Sequence, residues 1–282
     1  MTELRTVDPQ EAAVGTTGPV AGRRRKVASI REVSRREARL LGAVGLIAVL
    51  LLWEVSARLE WINPLITSSP TGVVEAAVEL WQNGTLGPAM LSSAKLFAIG
   101  FGVSLVGGMI IGALIGWYKR ANAVVDPWIS ILYAAPRIAF LPLIAVWFGP
   151  GLLGQVVVVV MIAIFPIIIN VASGVAAIDR SHLRMARSFL ATNHDVLLTV
   201  ALPGAIPAVA SGVRQGLMTG LLGVVVAEYF LGNTGIGGMI FMAGLTLRTG
   251  QAMLGALIFA VAALLFSAGL KAIENRLDRW RV

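Results

Sequence analysis

The sequence predicts an all-α polytopic membrane protein with six transmembrane helices, and three observations support this class. Hydrophobic residues make up 57% of the 282 residues, and mean hydropathy is +0.81. Charged residues make up 13%, about half of their share in a typical soluble domain. The apolar residues fall into runs of about 20, the length that crosses a bilayer core. Lys and Arg gather at the ends of these runs.

Six apolar segments are candidate spans. In chain order they run from Leu40 to Ala57, between Lys95 and Lys119, from Asp126 to Phe148, from Leu152 to Val175, from Ala205 to Phe230, and from Gln251 to Leu270. We therefore expect a basic cytoplasmic tail over 1–38, a six-span domain over 39–272 with a polar loop at 178–203, and a cytoplasmic tail over 273–282.

The distribution of positive charge predicts the orientation. An even number of spans places both termini on one side. That side would carry nine Lys and Arg residues before residue 40, two at 119–120, three within 180–187 and four after residue 270. The opposite loops carry Arg58 and Arg248. Because cytoplasmic loops are enriched in Lys and Arg, both termini are predicted to be cytoplasmic. The basic cluster 23–26 either contacts anionic lipid or, as we favour, only sets topology.

Several function classes are disfavoured by composition. The chain has no cysteine, which excludes disulfide scaffolds, zinc–thiolate sites and cysteine nucleophiles. The net charge of +8 lies at span ends rather than on one face, so we expect no nucleic-acid partner. His182 and His194 have no nearby metal-ligating residues in the sequence, Glu54 and Glu228 form no acid–base pair, and no Walker A loop occurs. We expect neither an enzyme nor a bound metal.

The second span carries a glycine repeat. Gly108, Gly112 and Gly116 recur every four residues and so lie on one helical face. Small residues allow close backbone approach between helices in lipid. We expect this face to pack against another helix, either within the subunit or between subunits.

The third and fifth spans contain residues that are costly in lipid. Pro136 and Pro142 should each bend the third span, either as a kink or as a break that lines a pathway. Arg137 and Arg214 are each predicted to lie roughly 15 Å deep. Such arginines either offer forked donors to an anionic substrate or bind helix carbonyls or a carboxylate and shape the bundle. We favour the second interpretation.

The segment over 176–207 is predicted to form a short cytoplasmic helix. Ile178, Leu183, Ala186 and Leu190 fall roughly on one face, and Asp179 or Ser181 would cap its start. A second short helix would begin at Asn193 or Asp195. A helix that projects from a membrane bundle is suited to docking a soluble partner.

This layout, with Leu202-Pro203 and Pro207 before a span, resembles the coupling loop of ABC importer permeases. Three other segments are similar to the outer loop, the third span, and the end of span five with its outer gate; they are SSPT at 68–71, PRIAFLPLIAVWFG at 136–149, and VVVAE at 224–228 followed by GNTGIG at 232–237. The resemblance covers nearly the whole chain. It places the chain in the nitrate/sulfonate/taurine group of binding-protein-dependent permeases.

The resemblance implies a type I importer fold in a bacterial inner membrane and a set of partners. These are two ABC ATPase subunits that bind ATP and Mg²⁺, an extracytoplasmic substrate-binding protein, a second permease subunit, and membrane lipid. The chain itself would hold no cofactor. The group transports nitrate, sulfonates, taurine, thiamine precursors and aromatic acids, and the embedded arginines favour a small anion. The implied coupling residues are His182, Leu183, Arg184, Met185, Ala186, Arg187 and Leu190. The implied path residues are Arg137, Phe140, Arg214 and Glu228.

The coupling motif departs from the family pattern. Counting back from Leu202-Pro203, the family's Glu-Ala-Ala falls on Arg184, Met185 and Ala186, and its glycine falls on Leu190. The position at which the family pattern has an acidic residue is therefore basic in this chain. Either the partner ATPase carries a complementary acid, or the chain forms a heterodimer with a permease that has the ordinary motif rather than a homodimer. An ion-coupled secondary transporter and a membrane-embedded enzyme are the rival interpretations. Co-purification with a nucleotide-binding subunit separates them from an importer.

Overall fold

The computed structural model describes residues 34–61, 63–232 and 234–278, and every regular element in these ranges is helical. The predicted all-α membrane class is confirmed. Among the described residues, those from Ser34 to Ala48 and those from Val49 onward form two separate units. Most of the predicted N-terminal tail, including the basic cluster at 23–26, lies outside the described residues, as do Asn233 of the predicted gate motif and the last four residues of the predicted C-terminal tail.

The described ranges contain thirteen α-helices. They are α1 (Arg35–Arg58), α2 (Pro64–Thr67), α3 (Pro70–Gln82), α4 (Leu86–Trp117), α5 (Lys119–Ala134), α6 (Leu141–Phe148), α7 (Leu152–Ala176), α8 (Arg180–Ser188), α9 (Asn193–Val196), α10 (Leu202–Gly204), α11 (Ile206–Leu231), α12 (Gly235–Leu245) and α13 (Thr249–Asp278). A 3₁₀ turn (Arg137–Phe140) precedes α6, and a π-helical turn (Leu197–Ala201) precedes α10.

Five of these helices are long and apolar enough to cross a membrane without a break: α1, α4, α7, α11 and α13. The pair α5 and α6 forms a sixth candidate span, broken by a bend of 90°. The six predicted spans therefore correspond to five continuous helices and one broken one.

The break in the third span lies at Pro136, but Pro142 does not bend the chain. Ala135 is extended, and Pro136 is also non-helical, between α5 and the 3₁₀ turn. Proline disfavours the helical conformation in the residue before it, which accounts for the break. Pro142 lies in the first turn of α6, where a missing N–H removes no helical hydrogen bond. The expectation that both prolines bend the span is wrong for Pro142, and only Pro136 lies at a break.

The second span is longer than predicted. Lys95 was taken as its boundary, yet α4 begins nine residues earlier, at Leu86. A lysine can continue a helix at the membrane edge because its long stem reaches toward water while the backbone stays helical. The third span also starts earlier: Lys119 opens α5, and Tyr118 alone separates it from α4.

Helices α4 and α7 run parallel and in close contact. Near the start of the contact Gly100 faces Val159, and near its end Gly116 faces Val175. At Gly112 a Cβ would lie 2.8 Å from the Cβ of Val171, and Gly108 is equally close to α7. The three glycines of the predicted repeat thus lie against one neighbouring helix, where larger residues would separate the backbones.

Helices α7 and α11 run antiparallel with similarly close contact. Gly174 faces Ala208 at one end, and Gly223 approaches Val159 at the other. The largest apolar cluster lies among α4, α6, α7 and α11. Its buried members are Leu96, Phe97, Leu141, Ile144, Val158, Val159, Ile162, Leu217, Leu221, Val224, Ala227 and Leu231.

Candidate functional site

Helix α8 and the turn after it form a short polar segment between α7 and α11. At its start the Ser181 N–H donates to Asp179 Oδ1 at 2.8 Å, and this bond lowers the pKa of Asp179 below its ordinary value. Thr192 and Asp195 cap the start of α9 reciprocally, and the hydrogen bonds from Thr192 lower the pKa of Asp195. Both carboxylates are therefore ionised at neutral pH, where they hold the two helix starts.

The end of α8 presents three apolar side chains to the surface. Met185 is 59% exposed, Phe189 80% and Leu190 92%. His182 and Arg184 are also exposed, and Ala186 is half-buried. Leu183 and Arg187 lie on the same helix, and only their backbone is described. The predicted coupling residues therefore share one short segment, and the side chains of Met185, Phe189 and Leu190 are not covered by the described residues.

Leu190 does not lie on a face of α8, which corrects the predicted apolar stripe. The helix ends at Ser188, and Leu190 adopts the left-handed region with φ of +59°. The Ala191 N–H donates to the Ala186 carbonyl oxygen at 3.3 Å, as in a glycine-type helix stop. The turn for which the resemblance implies a glycine is therefore formed here with leucine. Ile178, predicted for the same stripe, instead packs on a buried cluster of α7.

Arg137 is held by the protein itself. Its Nη1 donates to the Ile162 carbonyl oxygen of α7 at 3.0 Å. Its guanidinium carbon lies 5.0 Å from the ring centroid of Tyr133 and 5.7 Å from that of Phe165. Cation–π contacts of this kind are favourable when they are sheltered from water. Phe140, three residues on, packs against the largest apolar cluster.

Arg214 forms an ion pair with Glu274 near the end of α13, and its Nη2 donates to Glu274 Oε2. The two predicted intramembrane arginines thus have different partners: a carbonyl and two rings for Arg137, and a carboxylate for Arg214. Both arrangements correspond to the bundle-shaping interpretation. The assignment of Arg137, Phe140 and Arg214 to a translocation path stays a prediction.

Glu228 is 1% exposed and joins three helices. Its Oε2 accepts hydrogen bonds from Ser93 Oγ of α4 and from the Gly237 N–H of α12, each at 2.8 Å. Ser93 Oγ also accepts from the Ile236 N–H at 2.9 Å. Glu228 and Ser93 therefore cap the start of α12, whose N–H groups favour negative charge. The other carboxylate oxygen, Oε1, is buried without a hydrogen-bond partner among the described residues.

A cavity of about 740 Å³ lies beside this junction, and we call it the Lys95 cavity. It is lined by Ser92, Lys95, Ile99, Pro150, Gly151, Leu152, Gln155, Tyr229, Phe230, Leu231, Gly232, Thr234 and Phe241. Sequence reasoning missed this cavity, since Lys95 had been assigned to a span boundary. The available signal was the single polar side chain, Gln155, at the start of an otherwise apolar run.

No group of three His, Cys, Asp or Glu residues within 34–61, 63–232 and 234–278 is placed to hold a metal ion. His182 lies in α8 and His194 in α9, and the aspartate near each in the sequence, Asp179 or Asp195, is engaged at the helix start. The described residues therefore offer an exposed apolar surface at the end of α8 and a mostly apolar cavity that holds a few polar groups and is bounded by α4, α7, α11 and α12.

Comparison with known proteins agrees with this architecture. The family described as "Binding-protein-dependent transport system inner membrane component" matches residues 104–281. The taurine transport system permease protein TauC of Escherichia coli is 30% identical over 244 residues, which cover 84% of this chain and 89% of that protein.

Two further relatives have related names. The putative aliphatic sulfonates transport permease protein SsuC of Bacillus subtilis is 30% identical over 233 residues, 83% of this chain and 84% of that protein. The formylaminopyrimidine transport permease protein ThiX of Halalkalibacterium halodurans is 27% identical over 236 residues, 83% of this chain and 92% of that protein. The resemblance drawn from the motifs is confirmed. This chain belongs to the family of binding-protein-dependent transport system inner membrane components, the permeases of ABC importers.

Proposed function

We propose that this permease forms the translocation path for a small anionic solute, such as a sulfonate or taurine, and that α8 transmits the motion of a separate ATPase to it. The names of the relatives support the solute class. The arginines that suggested an anion from sequence support it less, because Arg137 and Arg214 are engaged by the protein.

The observation that carries the coupling role is the position of α8. It lies in the connection between α7 and α11. These two helices are in contact from the pair Gly174 and Ala208 at one end to the pair Val159 and Gly223 at the other. A force applied to α8 therefore acts on two tightly packed helices at once. Rigid-body movement of such a pair is an established route to alternating access.

The proposed assembly has several members. Two ATPase subunits hold ATP and Mg²⁺, a substrate-binding protein delivers the solute from outside, and a second permease subunit completes the path. Both termini and α8 face the cytoplasm, in accord with the charge distribution. No cofactor is assigned to this chain, and lipid surrounds its exposed apolar helices.

Arg184 provides the test of this proposal. The full permease is purified with its ATPase, reconstituted in proteoliposomes, and compared with Arg184→Glu. We expect the affinity for the ATPase to change by about fivefold, the scale of one exposed ion pair, with the permease still assembled. Arg120→Glu, an exposed arginine of α5 with the same charge change, serves as the control.

Unchanged ATP hydrolysis and transport in Arg184→Glu would show that Arg184 is not part of the contact with the ATPase. The same preparation decides the subunit composition. A complex that contains two copies of this chain and transports with full coupling would exclude the heterodimer. Failure to recover any nucleotide-binding subunit with the permease would contradict the proposed function itself.

A further inference from the structure

We propose that the Lys95 cavity is a binding subsite for the anionic head group of the transported solute, with Lys95 and Gln155 as its recognition residues. The inference rests on the proposed importer function and adds a place and a chemistry to it. A sulfonate-type group carries one negative charge and accepts several hydrogen bonds, and the lining of this cavity matches those two properties.

The charge of the cavity is positive. Lys95 is the one charged side chain among the described lining residues. It forms no ion pair or hydrogen bond with any described residue. Its side chain is exposed, so its ammonium group is available to a ligand, while the Glu228 carboxylate at the adjoining junction accepts hydrogen bonds from Ser93 and Gly237.

Gln155 supplies a polar group that has no use within the described part of the chain. It is 6% exposed and lines the cavity, yet its side chain makes no hydrogen bond to a described residue. Its amide is not among the fully buried polar atoms of the described residues, so it keeps accessible surface at the cavity that a ligand can reach. A Cβ at Gly232 would overlap Gln155 Nε2, so glycine at that position leaves room for the amide. A ligand oxygen that accepts from Nε2 would satisfy it.

The start of α7 adds backbone donors on the same side. Gly151 is the N-cap of α7, and no side chain caps this helix. Gly151 and Leu152 both line the cavity. The N–H groups in a first helical turn lack intrahelical partners and carry partial positive charge, which favours a bound anion. This contribution adds to Lys95 and Gln155 and does not replace them.

The aromatic part of the lining suits an organic tail. The ring of Tyr229 packs edge-on against Phe230, with centroids 5.0 Å apart, and against Phe241 at 4.8 Å. The volume of about 740 Å³ lies in the range of small-molecule sites. The cavity therefore combines a cationic end with an aromatic wall, the combination that distinguishes an organic anion from an inorganic one.

The cavity is also connected to the parts that should move. Ser92 precedes Ser93, and Tyr229 follows Glu228, so the lining adjoins the junction of α4, α11 and α12. A displacement of α11 or α12 would alter the lining directly. The subsite would thus change its affinity as the path opens and closes.

A binding measurement tests the assignment. The permease–ATPase complex, in nanodiscs and without binding protein, is titrated with 1-butanesulfonate and with its uncharged analogue butyl methyl sulfone, and binding is followed by saturation-transfer NMR. We expect butanesulfonate to bind more tightly than the sulfone. Lys95→Gln should weaken butanesulfonate binding by about tenfold or more, the scale of a charged hydrogen bond, and leave the sulfone unchanged.

Two further variants complete the design. Lys95→Arg should retain most of the affinity, and Lys271→Gln, an exposed lysine of α13, should have no effect. Equal binding of sulfonate and sulfone, or equal affinity in the Lys95→Gln and wild-type complexes, would overturn the subsite. ATP hydrolysis of each complex is measured in parallel. If ATP hydrolysis is intact but sulfonate binding does not depend on Lys95, this inference alone is refuted. If no ATPase associates with the permease, the proposed function is refuted.

Discussion

Leu190 places an apolar side chain in a backbone conformation that suits glycine. Its φ of +59° crowds the Cβ against the following carbonyl, at a cost of roughly 1–2 kcal/mol. At 92% exposure its side chain recovers little of this cost by packing within the permease. A strained and exposed leucine is more readily explained by a contact outside the chain than by folding.

Leu190→Gly should stabilise the turn after α8 by roughly 0.5–1 kcal/mol, because glycine reaches positive φ without the Cβ clash. Slower amide hydrogen exchange over residues 186–196 would show this. The control is Phe189→Gly, whose φ is not positive and which should lower local stability. If both variants exchange faster than wild type, strain at Leu190 is not significant.

Sequence reasoning identified the costly charges but not their partners. Arg137 and Arg214 were singled out because they interrupt apolar runs, and that signal is local. The partner of Arg214, Glu274, lies 60 residues away, and the partner of Arg137 is a backbone carbonyl, which every residue has. Lys95 was misjudged for the same reason: a charge at the edge of an apolar run does not say whether the helix continues past it.

At the scale of elements, the glycine contacts organise the packing. Helices α4, α7 and α11 meet through glycines on facing surfaces, so that side chains of one helix lie on the backbone of the next. In lipid, where apolar burial gives little drive for association, such close packing supplies much of the attraction. The same contacts would make α7 and α11 move together when α8 is displaced.

Gly112→Ala should lower the stability of the permease by roughly 1–3 kcal/mol, the usual cost of overpacking. Its new Cβ would lie 2.8 Å from the Cβ of Val171 and 2.9 Å from the Ile168 carbonyl oxygen, and a backbone atom cannot rotate away. Thermal unfolding of the purified protein, followed by tryptophan fluorescence, measures the change.

Gly102→Ala on the same helix is the matched control for this substitution. Nothing lies within 4 Å of its Cβ position, so it should be neutral or slightly stabilising through its higher helix propensity. Equal losses of stability in both variants would mean that α4 does not depend on close contact at Gly112.

The helical spans were largely predictable, whereas breaks and short helices were not. Long apolar runs determined α1, α7, α11 and α13 to within a few residues at most ends. From the sequence, Pro136 and Pro142 predicted either a kink or a break in the third span. The sequence could not decide between them, because the outcome depends on packing around Pro136. Helix α12 was missed since its 11 apolar residues are too few for a span and follow a glycine-rich turn.

At the scale of the whole molecule, the described residues form mainly apolar helices. The polar segment around α8, which joins α7 to α11, exposes three apolar side chains, Met185, Phe189 and Leu190. Family membership follows from motifs spread over most of the chain, and the match over residues 104–281 agrees. The direction of insertion stays a prediction that rests on the charge bias alone. The central claim is that α8 is the part of this bundle that a separate ATPase holds.

The absence of native cysteine allows a direct test of that claim, because one introduced thiol is unique. Met185→Cys is placed on α8, and Trp81→Cys, 68% exposed at the end of α3, is the control at the opposite predicted face. Each permease is combined with its ATPase in membranes and treated with a short heterobifunctional reagent that joins the introduced thiol to a lysine amine of the partner. We predict a covalent permease–ATPase product from Met185→Cys whose yield changes with ATP, and none from Trp81→Cys. No product from Met185→Cys, or equal products from both, would contradict the claim.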